Sequence, residues 1–272
     1  ARHRYQFELK GRCIMSQNVS SLFSGAQAGG DIGSGAAAVL NISDLGEQIQ
    51  AGLGVSIDDV ASSEVTLVTL LVDDSGSIRM AGNSQTMRDG VNHIRDALMK
   101  SKQSDSVLIS VRYLNGTVLV PYMSLEHMPA LDTSNYNPSG GTPLYDQSVV
   151  TCGQVIAKRQ EFVGGGVACR AVTVVISDGA DVHSQQHSAA DVSKVVKDML
   201  LTESHIVIGM GISDGQTDFR HVFSEMGILN EWILTPGNSE TEIRRAFAVV
   251  SQSAVRASQS AKSFSQAAGF TN

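Results

Sequence analysis

From Glu64 onward the chain alternates between two kinds of hydrophobic pattern, consecutive apolar runs and apolar positions spaced three and four apart. The run Val65-Thr66-Leu67-Val68-Thr69-Leu70-Leu71-Val72 is nearly continuous and rich in β-branched residues, as a central parallel strand covered on both faces requires. Residues 84–100 then place Met87, Val91, Ile94 and Leu98 on one helical stripe. Val107 to Leu114 and Thr117 to Val120 are expected to be strands joined by Asn115-Gly116, a dipeptide suited to a tight hairpin turn. A helix is expected over Leu144 to Ile156, a buried strand over Ala171 to Ile176, and a helix carrying Val192, Val195, Val196, Met199 and Leu200. A strand over Ile206 to Met210, a helix near Phe219–Met226, a strand at Trp232–Leu234 and a helix from Glu240 to Val255 complete the series.

Buried strands alternating with amphipathic helices imply an α/β fold: a doubly wound, mostly parallel open sheet with one antiparallel hairpin strand and helices on both faces. In such sheets ligands bind at the carboxyl ends of the strands, where the strand order reverses. Ahead of this region, residues 41–63 read as an extension docking on the core. Asp44 and Glu47 have capping-box spacing, Leu45, Ile49 and Leu53 form a stripe, and Gly54 can end the helix. Residues 1–40 are expected to be flexible, since Ser, Gly, Ala and Gln dominate residues 16–40. Residues 1–14 read as a leader or appended segment, with Met15 as a natural start, and residues 259–272 as a flexible tail after a main domain spanning 64–258. The glycines at 29, 30, 33 and 35 lack the preceding strand and following Lys-Ser/Thr of a phosphate-binding loop.

Composition narrows the function. Lys and Arg number 20 against 27 Asp and Glu, a net charge of −7, and no basic run offers a footprint for nucleic acid or an anionic membrane. No apolar stretch approaches the roughly 18–20 residues of a spanning helix. Cys13, Cys152 and Cys169 lack CxxC spacing, which argues against a disulfide framework or a zinc site and for a cytoplasmic protein with reduced thiols.

The candidate chemistry lies at the ends of the predicted strands. The first strand runs into Asp73-Asp74-Ser75-Gly76-Ser77, the segment Ser139-Gly140-Gly141-Thr142-Pro143 precedes a helix, and the strand ending at Ile176 runs into Ser177-Asp178-Gly179. Asp73-x-Ser75-x-Ser77 with Thr142 and Asp178 in the same order resembles the metal-ion-dependent adhesion site (MIDAS) of von Willebrand factor A (vWA) domains, over roughly residues 64 to 255. Five oxygen donors with no thiolate or imidazole suit a hard cation, Mg²⁺ first, with Mn²⁺ or Ca²⁺ also acceptable. The resemblance implies that the Ser75, Ser77 and Thr142 hydroxyls coordinate the ion directly. It implies that Asp73 and Asp178 act through bound water or by holding those hydroxyls, and that an open position takes a partner's Asp or Glu carboxylate. Each of these residues taken singly is more often a helix cap or turn residue, and joint occupancy of all five positions reverses that balance.

Other polar residues have less specific readings. His183 and His187, four apart after Asp178, suggest a second metal, but no third ligand is evident and a polar rim accounts for them. Cys152 and Cys169 read as core thiols. Tyr136, Tyr145, His183 and Met80 are expected around the ion, where a partner would touch. The favoured function is therefore a divalent-cation-dependent protein–protein interaction module and not an enzyme. The alternative is a metal-dependent, phosphoesterase-like hydrolase, for which Asp74 and His183 are the nearby candidate bases. With few cysteines and no secretory signal, the chain is most similar within the family to intracellular bacterial vWA proteins such as the tellurium-resistance-associated group. Ser251, Ser253 and Ser258 of the last helix fit that group. This resemblance implies a stress or defence complex, with a chaperone-like ATPase as a partner.

Overall fold

The computed structural model describes residues 18–41, 45–259 and 269–270. The leader reading of residues 1–14, Met15, Cys13 and the Asp44 half of the capping box lie outside the described residues, as does most of the 259–272 tail. Six strands form one sheet: β1 (Glu64–Val72), β2 (Val107–Tyr113), β3 (Val118–Ser124), β4 (Ala168–Ser177), β5 (His205–Gly211) and β6 (Ile233–Leu234). Their order is β3-β2-β1-β4-β5-β6, and every pairing is parallel except β2 with β3. The chain moves outward from β1 through β2 to β3, crosses over, and fills the other half from β4 to β6. Strand order thus reverses between β1 and β4.

The two central strands carry the apolar runs because helices cover both of their faces. Leu67, Val68, Leu70, Leu71 and Val72 of β1 and Val172, Val174 and Ile176 of β4 are fully buried. On one face lie α5 (Ser84–Met99), packed on α9 (Glu240–Gln259), with the short α4 (Gly76–Met80) at the end of β1. On the other lie α6 (Leu144–Gly164) and α7 (Ala189–Leu201), and α8 (Phe219–Glu225) packs by β5 and β6. The Asn115-Gly116 turn forms as expected, with Gly116 at φ 89°, a left-handed conformation that glycine adopts without strain.

Residues 18–40 correct the expectation of a flexible segment. They form α1 (Val19–Ala28) and α2 (Ser34–Leu40), which with α3 (Leu45–Gln50) make a further helical layer over α6 and α7. Asn18 caps α1 by accepting the Ser20 N–H, and Val19, Leu22, Phe23 and Ala26 are buried at i, i+3, i+4 and i+7. Small residues on both sides permit close approach: an added Cβ at Gly25 of α1 would stand 2.8 Å from the Gln160 side chain, and one at Gly153 of α6 2.8 Å from Ile49 and 3.0 Å from Leu40. Polar contacts fasten the layer as well. The Gly33 N–H donates to Asp198 at 2.7 Å, Arg159 pairs with Asp31, and the fully buried Arg112 donates to the Gln48 carbonyl and to Gln154, each at 2.9 Å. Sandwiched between sheet and outer layer, α6 is buried around most of its circumference, which explains why its apolar residues show no clean stripe.

The segment after α3 also protects the sheet. The Val55 N–H donates to the Tyr122 carbonyl at 2.9 Å and the Tyr122 N–H to the Gly52 carbonyl at 3.1 Å, so part of the open edge of β3 is paired. At the far end Phe270 packs edge to face on Trp232, with ring centroids 5.3 Å apart. Among the described residues no helix is long and apolar enough to cross a membrane.

Candidate metal centre

Val72 is in register with Ile176, so parallel β1 and β4 bring Asp73 level with Ser177, with Asp178 one residue further on, at the reversal point of the sheet. The Asp73 N–H continues the ladder to the Ile176 carbonyl at 3.1 Å. Asp73 is fully buried, and both of its carboxylate oxygens are held by the chain itself. One accepts the Ser75 N–H at 2.8 Å; the other accepts the Ser177 hydroxyl at 2.8 Å and the Asp178 N–H at 3.2 Å. Asp73 therefore shapes the turn that aims the serines and ties it to the end of β4.

The aimed groups converge. Ser75 Oγ and Ser77 Oγ are 2.7 Å apart, and Asp178 Oδ1 accepts from Ser77 Oγ at 2.6 Å and from Ser75 Oγ at 3.4 Å. Burial pushes the Asp178 carboxyl up to about 6, with the Asp73 charge adding to the rise and the Ser77 and Ser75 hydrogen bonds opposing it. A buried pair of carboxylates facing hydroxyl oxygens is a site in which a cation would relieve the repulsion.

Thr142 reaches the same corner by another route. Ser75 and Gly140 form a parallel bridge, reinforced by the Gly76 N–H donating to the Gly140 carbonyl at 3.0 Å. Two residues on, Thr142 is 6% exposed, and its hydroxyl makes no hydrogen bond to Asp73, Ser75, Ser77 or Asp178. Four of the five candidate ligands thus share one hydrogen-bonded network, and Thr142 lies in the loop bridged to it.

The roles of three contributors escaped the sequence reading. Ser177 holds Asp73, and its place as the last residue of β4 was the available signal. Asp74, considered there only as a base, ties three loops together. Its carbonyl accepts the Ser139 and Gly140 N–H groups at 2.8 and 3.0 Å, and its carboxylate accepts the Asn115 N–H at 3.0 Å. Burial raises the Asp74 carboxyl to about 6. Tyr136 proves to be buried, not a surface contact: its hydroxyl donates to the Asp73 carbonyl at 2.5 Å and its ring packs against Tyr113. No sequence signal distinguishes that role, because a tyrosine in a loop suits either setting.

The rim divides the remaining candidates. Met80 is 81% exposed, Tyr145 is half-buried and His183 is exposed. The two histidines do not form a metal pair, since His183 Nδ1 accepts the Thr142 N–H at 2.9 Å while His187 Nδ1 lies 3.0 Å from Asp146. Among the described residues no group of three His, Cys, Asp or Glu side chains could hold a metal, and the oxygens that converge at this corner are two serine hydroxyls and the Asp178 carboxylate. Cys152 and Cys169 are buried thiols pushed up to about 12 by burial, unsuited to nucleophilic work.

The sequence matches no protein-family profile and no curated protein. Among solved structures, proximal thread matrix protein 1 from the mussel byssus is similar over 72% of this chain and 48% of that one, with a TM-score of 0.50 and 16% identity. The chain therefore spans about half the length of that protein, and at this identity the likeness concerns the fold. Its strand order is that of a Rossmann-like, doubly wound sheet. Also similar are the pilus adhesin SpaC from Lactobacillus rhamnosus GG (TM-score 0.49, 13% identity, 71% of this chain and 30% of that one) and a von Willebrand factor type A protein from Catenulispora acidiphila (0.46, 13%, 71% and 43%).

Proposed function

We propose that this corner of the sheet binds one divalent cation, Mg²⁺ in the first instance, and that the loaded site docks a partner protein through an Asp or Glu side chain. The observation that carries the reading is the convergence of Ser75 Oγ, Ser77 Oγ and Asp178 Oδ1 within 2.6–3.4 Å of one another above the buried Asp73. Hard oxygen donors in that number suit Mg²⁺ or Mn²⁺, and Ca²⁺ with more ligands. Ser75, Ser77 and Thr142 would hold the ion. Asp73 keeps the first two in place through the Ser75 N–H, and Asp178 orients both hydroxyls. When bound, the ion supplies an electrophilic position that a carboxylate can complete.

Docking is favoured over hydrolysis because neither candidate base is set up for proton transfer. The Nδ1 lone pair of His183 is spent on the Thr142 N–H, and the Asp74 carboxylate reaches to the β2–β3 turn at the Asn115 N–H and makes no hydrogen bond to Ser75, Ser77 or Asp178. Absence of turnover of generic phosphoesters and esters in Mg²⁺ is the expected result. An intracellular stress or defence complex with a chaperone-like ATPase is the setting proposed for the partner.

Thr142 provides the sharpest test. Thr142→Ser keeps the hydroxyl and should bind Mn²⁺ as the wild type does in calorimetry. Thr142→Val keeps the shape without the oxygen and should bind about tenfold to a hundredfold more weakly, the usual cost of one lost ligand or hydrogen bond in a desolvated contact. Partner capture should follow the same order and be abolished by EDTA. Equal Mn²⁺ affinity in the valine variant would remove Thr142 from the site.

A further inference from the structure

The Thr142 hydroxyl is the one candidate ligand outside the hydrogen-bonded network, so something else must set its position. The loop between β4 and α7 holds the Thr142 main chain on both sides. The Val182 N–H donates to the Thr142 carbonyl at 3.2 Å, and the Thr142 N–H donates to His183 Nδ1 at 2.9 Å. Because a main-chain N–H can only donate, Nδ1 is the acceptor and a neutral His183 carries its proton on Nε2. The ring sits directly over Gly141, where an added Cβ would lie 2.8 Å from Nδ1, so the glycine makes room for the histidine.

The same loop is locked to the first turn of α6, which Thr142 and Pro143 lead into. Asp146 accepts the N–H groups of Gln185 and His187 at 2.8 Å each and that of Gln186 at 3.2 Å, and its carboxylate lies 3.0 Å from His187 Nδ1. In return the Asp146 N–H donates to Ser184 Oγ at 2.9 Å, and Ser184 donates to Asp181 at 2.6 Å. Asp181 also accepts the Tyr145 N–H at 3.2 Å. The helix end and the loop thus grip each other in both directions. An exposed imidazole alone would be a weak strut, but one carried on a loop anchored this densely is held in place.

We infer that His183 is a positioning residue for the metal site: seated by the Asp146-anchored loop, its Nδ1 holds the Thr142 backbone so that the hydroxyl faces Ser75 and Ser77. This rests on the proposed cation reading, and it assigns to His183 neither direct coordination nor proton transfer. It explains why a histidine stands beside a site with no imidazole ligand.

Asparagine is the informative replacement, because its Oδ1 occupies nearly the place of histidine Nδ1 and can accept the same N–H. Glutamine reaches instead toward the place of Nε2. Mn²⁺ affinity of the full chain should fall about tenfold in His183→Ala and His183→Gln and return to within about threefold of wild type in His183→Asn. Adding His183→Ala to Thr142→Val should weaken binding little beyond Thr142→Val alone, because the two changes act through one group. Hydrogen exchange of the Thr142 amide, measured without metal, should accelerate in the alanine and glutamine variants and slow again in the asparagine one. Wild-type Mn²⁺ affinity in His183→Ala would overturn the proposal, as would an asparagine variant as weak as alanine. If the wild-type chain takes up no Mn²⁺ at all, the cation reading itself falls, and Thr142 amide exchange then reports only on the loop.

Discussion

Phe23→Ala should destabilise the whole chain by about 3–5 kcal/mol, the range for removing a core aromatic side chain. Phe23 is 1% exposed, on a helix that packs against α6, and its neighbours on the same stripe, Val19, Leu22 and Ala26, are equally withdrawn from water. Because α6 also packs on β1 and β4, a cavity under α1 is felt by the helix that Thr142 leads into. Urea unfolding should give one transition whose midpoint falls in Phe23→Ala, while the exposed Gln27→Ala on the same helix should stay within about 0.5 kcal/mol of wild type. A loss below about 1 kcal/mol in Phe23→Ala would mean that the outer helices come away independently of the sheet.

That layer shows where the sequence was hard to read. Its Val19, Leu22, Phe23, Ala26 stripe is regular, but Ser and Gly at the intervening positions make the composition look like a linker. In a helix lying on another helix, small residues shorten the distance between axes, so the same composition has two physical meanings. The sheet was easier, since β1 and β4 are buried on both faces and only β-branched or aliphatic residues satisfy that setting. Errors collected at polar element ends. α6 continues beyond Ile156 through Lys158, Arg159 and Glu161, because those side chains reach the outer layer: Lys158 bonds the Val55 carbonyl, Arg159 pairs with Asp31 and Glu161 accepts the Ile57 N–H. β3 runs on past Val120 through Pro121, which an edge strand tolerates. At the candidate site the side chains aimed outward were legible as a motif. Their supports were not, because Ser177, Asp74 and Tyr136 act through main-chain hydrogen bonds or a buried hydroxyl that only the fold brings within reach.

Asp178→Asn should make the chain more stable in EDTA at neutral pH and at the same time abolish its stabilisation by Mg²⁺. Asp178 is 6% exposed, and burial together with the Asp73 charge raises its carboxyl from 3.8 to about 6 against the pull of the Ser77 and Ser75 hydroxyls. A carboxyl that holds its proton more tightly in the folded chain contributes stability that is fully present below about pH 3.8 and lost as pH rises through about 6. At pH 7.5 the ionised group therefore costs the fold on the order of 2–3 kcal/mol. Asparagine keeps an Oδ1 to accept from Ser75 and Ser77 and carries no charge, so it escapes that cost. The advantage of Asp178→Asn should accordingly shrink as the pH is lowered from 7.5 to 5, where the wild-type carboxyl takes up its proton. Mg²⁺ should close the gap. At a hundredfold excess over its dissociation constant a cation that binds only the folded chain stabilises it by about 2.7 kcal/mol, and the neutral amide forfeits most of that attraction. Denaturant midpoints in EDTA and in Mg²⁺ at the two pH values measure all four quantities. An Asp178→Asn chain less stable than wild type in EDTA at pH 7.5 would mean that the carboxylate serves the fold, and an undiminished response to Mg²⁺ would place the ion elsewhere.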